Sequence, residues 1–139
     1  MGARFPYHSG RVARKEIQEI GRESMKKVYV AGAISAPNIE LGLSNIRKGI
    51  LMGVELLNLG YSPYVPHLDY QFNLIQNDVH IDVETYYKHD LEWLSLCDCM
   101  IVLPGWENSR GVKAEISFAK GIMMPIYFSK EELIMNERI

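Results

Sequence analysis

Cysteine is nearly absent from this chain. Cys97 and Cys99 are the only two, they flank Asp98 inside an apolar run, and a disulfide between such near neighbours would be badly strained. Both read as small core hydrophobes in a reducing compartment. A surplus of either charge is also missing: Lys and Arg number 15 against 17 for Asp and Glu, a formal charge of -2. Such a balance leaves no electrostatic footprint for a nucleic-acid duplex, so polymer binding is disfavoured. The apolar runs are strand-sized, far short of the roughly 20 residues of a membrane-spanning helix, and no charged-then-apolar leader opens the chain. A soluble, cytoplasmic protein without a membrane partner is expected. No internal repeat or low-complexity tract is visible.

What is present is enough for one core. In 139 residues, 47% of the side chains are apolar, which supports a single domain and hardly two. Residues 1–24 mix basic residues with Gly and Pro before a short amphipathic patch at Ile17 and Ile20. Met25, followed by Lys26 and Lys27, has the look of a natural start. Residues 1–24 are therefore read as an extension, weakly ordered or helical, and 25–139 as the functional domain.

From Lys27 onward strand-like and helix-like runs alternate, the rhythm of an α/β domain with an open parallel sheet of four to five strands flanked by helices. KVYVAG (27–32) suits a buried first strand turning sharply at Gly32. Leu43, Ile46, Ile50, Val54 and Leu57 recur at spacings of three and four, giving an apolar stripe expected to face the core, and Gly60 closes that helix. YSPYV (61–65) follows as a second strand. Helical spacing returns over 83–97 through Tyr87, Leu91 and Leu94, and DCMIVLPG then reads as a third buried strand. Ser109 or Gly111 opens the next helix, which stops at Gly121. Pro125 to Phe128 supplies a fourth strand, and SKEE at Ser129 matches a capping box for a terminal helix. Gly49 and Gly53, four apart within a helix, hint at close packing on another helix or a subunit interface.

In an open parallel sheet, ligands gather where strand carboxyl ends meet helix amino ends. The loops AGAISAPN, PHLDYQ and PGWENSRG occupy those places. The last is the most informative: it puts Trp106, Ser109 and Arg110 just before a helix and Glu115 in its first turns, where free backbone N–H groups favour an ionised carboxylate.

YVAGAI, HDLEWLSLCD and LPGWENSRGVKAEISFAKG together resemble the nucleoside 2-deoxyribosyltransferase-like superfamily over about residues 27 to 128. LPGWENSRG is most similar to a small phage-borne and bacterial branch of it, and the site layout is similar to that of 2'-deoxynucleoside 5'-phosphate N-hydrolases. The resemblance implies a Rossmann-like (flavodoxin-like) fold, a Glu that forms a glycosyl-enzyme intermediate, no metal or organic cofactor, and a homodimer or higher homo-oligomer in which a neighbour helps complete each site. By that resemblance Glu115 is the nucleophile, Tyr29 orients it, Asp90 of the D-x-x-W motif contacts sugar or base, and Asp98, which opens the third strand, is a further candidate catalytic residue. Ser109 matches a phosphate-contacting Ser, and Gly32 a glycine that lets backbone approach the sugar phosphate. Ile34, Ser35 and Gly111 lie in the same loops. One departure stands out: the hydrolases carry an Arg soon after the first-strand Gly-x-Ile, whereas this chain has no basic side chain between Gly32 and Arg47. Arg110 or loop amides would have to take over a phosphate contact.

The expected chemistry is cleavage or transfer of the N-glycosidic bond of a deoxynucleoside or its 5'-monophosphate. Breaking that bond builds oxocarbenium character at C1', which a carboxylate stabilises and captures. Glu115 fits the role, and Asp90, its pKa raised by burial or a second carboxylate, would protonate the leaving base. Trp106, Tyr70 or Phe72 would stack on the base, and His67 would line the pocket. His67, His80 and His89 form no spacing typical of a metal site. Two rival readings remain at this level. A nucleotide-binding sensor of the same fold would not need Glu115 and Tyr29 to converge. A phosphoribohydrolase acting on cytokinin nucleotides would share the faint PGGxGT-x-x-E pattern, of which the second Gly and the Thr are missing here.

Overall fold

The computed structural model of the chain describes residues 24–75 and 80–138; nearly all of the extension, with its Ile17/Ile20 patch, lies outside them. Four strands form one all-parallel sheet: β1 (Lys27–Ala31), β2 (Ser62–Tyr64), β3 (Cys99–Val102) and β4 (Ile126–Tyr127), in the order β2-β1-β3-β4. The α-helices are α1 (Ile39–Asn58), α2 (Val83–Leu94), α3 (Arg110–Gly121) and α4 (Lys130–Asn136), with 3-10 segments at Pro66–Leu74 and Trp106–Asn108. The architecture is α/β and Rossmann-like, as expected. Among the described residues no helix is long and apolar enough to cross a membrane.

Alternation along β1 divides the core in two, because successive side chains of a strand point to opposite faces. Val28 and Val30 join Leu56, Ile101 and Leu133 on the face covered by α1 and α4. Tyr29 and Ala31 join Leu94, Met100, Val112 and Ile116 under α2 and α3. Strand order reverses beside β1: its chain-order successor lies on one flank and β3 on the other. That switch point opens a crevice at the carboxyl ends of β1 and β3.

Local chemistry sets most boundaries. Asn38 caps α1 by accepting from the Leu41 N–H at 2.9 Å, and Gly60, at φ 95°, turns the chain out of it; only glycine adopts that conformation without strain. Ser109 caps α3 through the Val112 N–H at 3.2 Å. Ser129 caps α4 through the Glu132 N–H at 3.1 Å, while the Glu132 carboxylate reaches back to the Phe128 N–H at 3.3 Å, one residue before the expected capping-box partner. Strands β2 and β4 are shorter than their apolar runs.

The buried face of α1 differs from expectation. Gly49, Gly53 and Leu56 are its buried residues, whereas Leu43, Val54 and Leu57 of the apolar stripe are about half exposed or more. The cause is the 3-10 segment after β2, which periodicity did not reveal. A Cβ on Gly49 would lie 2.2 Å from Cγ of His67, and one on Gly53 would lie 2.8 Å from a Val65 methyl. The two glycines therefore let α1 close on the 3-10 helix after β2 and on Val65 before it, so the close packing their spacing suggested is made within this chain.

Candidate active site

The crevice is a cleft of about 850 Å³. Three walls form it: the loop after β1, the 3-10 segment after β2 with the facing side of α2, and the Pro104–Ser109 loop with the start of α3. Ile34, Ser35, Ser109, Arg110, Gly111 and Glu115 line it, together with Asp90 and Gly32. Sequence-expected residues from all three walls thus meet in one cavity. Gly32 is needed for a second reason as well, since a Cβ there would stand 2.6 Å from a Leu103 methyl and 3.1 Å from Nε2 of His67.

Tyr29 reaches the cleft from beneath. It is fully buried in the middle of β1, outside the lining, and its hydroxyl donates to Oε2 of Glu115. This makes it a positioning residue. The β1–β2 register sets Tyr64 beside Tyr29, with their rings stacked at 5.5 Å, and Trp93 stacks on the other side of Tyr64 at 5.8 Å. A phenol has one proton to give. The Tyr64 hydroxyl donates to Oδ1 of Asp90 at 3.1 Å and stands 3.0 Å from Nε2 of His89. The aromatic stack therefore fixes both carboxyl groups from below.

Burial dominates the electrostatics. Glu115 is pushed from its ordinary 4.5 up to about 7, mainly by burial; the Tyr29 hydroxyl opposes the shift and the charge of Asp69 adds to it. The expectation that the helix start favours the ionised form is corrected here, because desolvation in the second turn of α3 outweighs it. Asp90 rises to about 8, again mainly by burial, then through its hydrogen bond with Asp69 and that residue's charge; the Tyr64 hydroxyl works the other way. Tyr29 and Tyr64 are raised above the ordinary phenol range by burial first, so both remain hydrogen-bond donors.

Several expected residues stand elsewhere. Asp98 is exposed at the opposite end of the sheet, where its carboxylate accepts the Lys27 N–H at 2.7 Å and ties the start of β1 to that of β3. It takes no part in the cleft. Trp106 packs on Phe128, with centroids 5.6 Å apart, and Phe72 packs against Tyr86 and His89, so neither lines the cavity. His67 is 1% exposed beneath Gly49 rather than in the pocket wall, and burial lowers its pKa to about 4. At neutral pH it is an uncharged core side chain. His80 sits on the surface with Asp82 at 3.4 Å.

Other residues enter the cleft without having been singled out. Asn45 and Lys48 project from α1 and Asp69 from the 3-10 segment, while Tyr86 and Tyr87 join Tyr70 on the aromatic wall. Leu41, Asn45 and Lys48 share one helical face, which a wheel over 39–58 would have displayed. Asp69 lies within the PHLDYQ loop already marked. Lys48 and Arg110 place two cationic side chains on the cleft wall. Asp69, His89 and Asp90 each offer a ligand atom within 4.8 Å of the others, a set able to hold a divalent ion despite the unpromising histidine spacing.

Fold and site together define a Rossmann-like α/β domain whose switch-point cleft carries two hydrogen-bonded carboxyl groups, Asp90 buried and Glu115 half-buried. Residues 26–128 match the family described as Domain of unknown function (DUF4406), and the chain belongs to that family. No curated protein matches it.

Proposed function

We propose that the protein cleaves or exchanges the N-glycosidic bond of a deoxynucleoside or its 5'-monophosphate through a glycosyl-enzyme intermediate on Glu115. The observation that carries this reading is the pairing of Glu115, held by the Tyr29 hydroxyl, with Asp90, a second carboxyl in the same cleft whose proton is retained to a higher pH. The motif resemblance to deoxyribosyltransferases supports it independently.

The two groups divide the work by protonation state. Burial raises both groups, and the neighbouring Asp69 carboxyl raises Asp90 further through a hydrogen bond and its charge, so near neutrality Glu115 is the readier to ionise and Asp90 the readier to keep its proton. Tyr29 engages Oε2 of Glu115, leaving Oε1 to attack C1'. The C1'–N bond breaks as the C1'–O bond forms, and the leaving nitrogen takes the Asp90 proton. Asp90, now a carboxylate, deprotonates water or a second base, which attacks C1' and releases Glu115. Water gives hydrolysis and a base gives transfer. Tyr70, Tyr86 and Tyr87 offer flat faces for the base, and Lys48 and Arg110 offer charge for a 5'-phosphate.

The test is incubation of the pure protein with deoxynucleosides and their 5'-monophosphates, with and without a free acceptor base, followed by chromatography. Released or exchanged base that disappears in Glu115→Gln is the expected result. Absence of turnover across the panel, with melting temperature raised by the same compounds, would replace this reading by a nucleotide-binding module.

A further inference from the structure

His67 takes no part in the chemistry proposed above, yet it is a polar side chain set into the core. It is 1% exposed, and neither Nδ1 nor Nε2 has a hydrogen-bond partner. A neutral imidazole carries one N–H and one lone pair, and each costs free energy when left unsatisfied in a dry interior. Two glycines make room for the ring: a Cβ on Gly49 would lie 2.3 Å from Nδ1, and one on Gly32 would lie 3.1 Å from Nε2. The Nδ1 edge thus faces the interior of α1, where helix hydrogen bonds already occupy the carbonyls. The Nε2 edge faces the loop that leaves β1. There the backbone of Ala33 is the one group that works against burial in setting the His67 pKa, as a carbonyl accepting from the ring would. No backbone hydrogen bond among the described residues engages that carbonyl.

We propose that His67 is a positioning residue of the cleft: its Nε2–H takes the Ala33 carbonyl as partner, and that bond turns the N–H of Ile34 toward the ligand. Across a trans peptide the carbonyl of one residue and the N–H of the next point in opposite directions, and no cis peptide occurs among the described residues. A carbonyl drawn down onto the core histidine therefore sends the next N–H up, into the cleft that Ala33 and Ile34 line. No backbone hydrogen bond among the described residues uses the Ile34 N–H. Asn45 of α1 holds the Ile34 carbonyl in its turn, at 3.5 Å, so side chains tie two successive peptides of a loop that has no regular pairing. An uncharged imidazole suits the task, because it donates without carrying charge into the core, and its rigid ring spans the gap between α1 and the loop. The ligand group served is an acceptor oxygen of the sugar or its phosphate, and this part of the proposal rests on the function proposed above.

Nitrogen–proton correlation spectra of the full chain should place the His67 ring proton on Nε2, with a coupling across the hydrogen bond to the Ala33 carbonyl carbon. A proton on Nδ1 would overturn the proposal whatever the activity. With the common deoxynucleoside 5'-monophosphates as substrates, His67→Met, which keeps the bulk but lacks a donor, should raise KM by roughly tenfold or more and leave kcat within about threefold, the signature of a contact made equally in ground and transition states. His67→Gln, whose amide nitrogen can stand where Nε2 does, should return KM to within about threefold of wild type. A folded His67→Met variant with the wild-type KM, or a His67→Gln variant no better than His67→Met, would also overturn it. A wild type that turns over none of these compounds removes the proposed function alone, and the ring proton and the coupling still decide the role of His67.

Discussion

The two ends of the sheet use carboxylates in opposite ways. At the amino end, Asp98 is exposed and accepts the Lys27 N–H, so water and a backbone donor both stabilise its charge. At the carboxyl end, Asp90 and Glu115 are withdrawn from water, and burial is the largest cause of the rise in each pKa. The first arrangement holds two strands in place. The second gives up stability to keep two carboxyl groups near neutrality, a condition under which one can attack while the other donates a proton.

The sharpest way to break the contrast is Glu115→Gln, which is expected to reduce turnover by roughly 10³-fold or more while stabilising the fold. The folded-state pKa of about 7 exceeds the ordinary 4.5, so between these values the folded protein holds more protons than the unfolded chain. Stability consequently falls as pH rises through that window and levels off above it. Removing the ionisable group should restore on the order of 2 kcal/mol at pH 8 and less at pH 5, measurable by melting curves at both.

Next in size is the pH dependence of the reaction. The profile of kcat/KM should rise through about 7 as Glu115 ionises and fall through about 8 as Asp90 loses its proton. Asp90→Asn should lower the rate by roughly 10²-fold or more and abolish the alkaline limb. A variant that keeps that limb would assign it to another group.

Gly49→Ala tests what supports the cleft wall. The added methyl would meet the His67 ring at 2.2 to 2.5 Å, and the resulting overpacking should cost about 1–3 kcal/mol in denaturant unfolding. The smallest effect is expected at the other end of the sheet. Asp98→Ala removes one acceptor from an exposed backbone N–H, so about 1 kcal/mol or less of stability should go, with kcat/KM unchanged within roughly twofold. A large loss of activity there would erase the distinction between the two ends.

Much of this was readable in order along the chain, because helix caps, strand alternation and turn glycines act over a few residues. Glu115 and the loop residues Ser35 and Ser109 were legible through the loops at strand ends, whereas Asp90, in the middle of α2, was legible only through the family resemblance. Lys48 and Tyr64 were not, since each reaches the site only after α1 and β2 pack around β1, and Asp69 was marked only as part of the PHLDYQ loop. Trp106 and Phe72 were misplaced because an aromatic beside a loop satisfies its apolar surface equally well against a neighbouring ring. The α1 stripe shows the same limit. Periodicity identifies an apolar face but not its partner, and closer backbone approach at Gly49 and Gly53 turned a different face inward.

By itself, then, the sequence determined the α/β order, the strand–loop–helix junctions and the carboxylate at the start of α3, all of which follow from local backbone and side-chain chemistry. Tertiary structure alone decided which face of α1 is buried, which end of the sheet each carboxylate serves, and how strongly Glu115 and Asp90 hold their protons. Burial and charge–charge coupling are properties of groups brought together from distant parts of the chain, and only the folded arrangement brings them together.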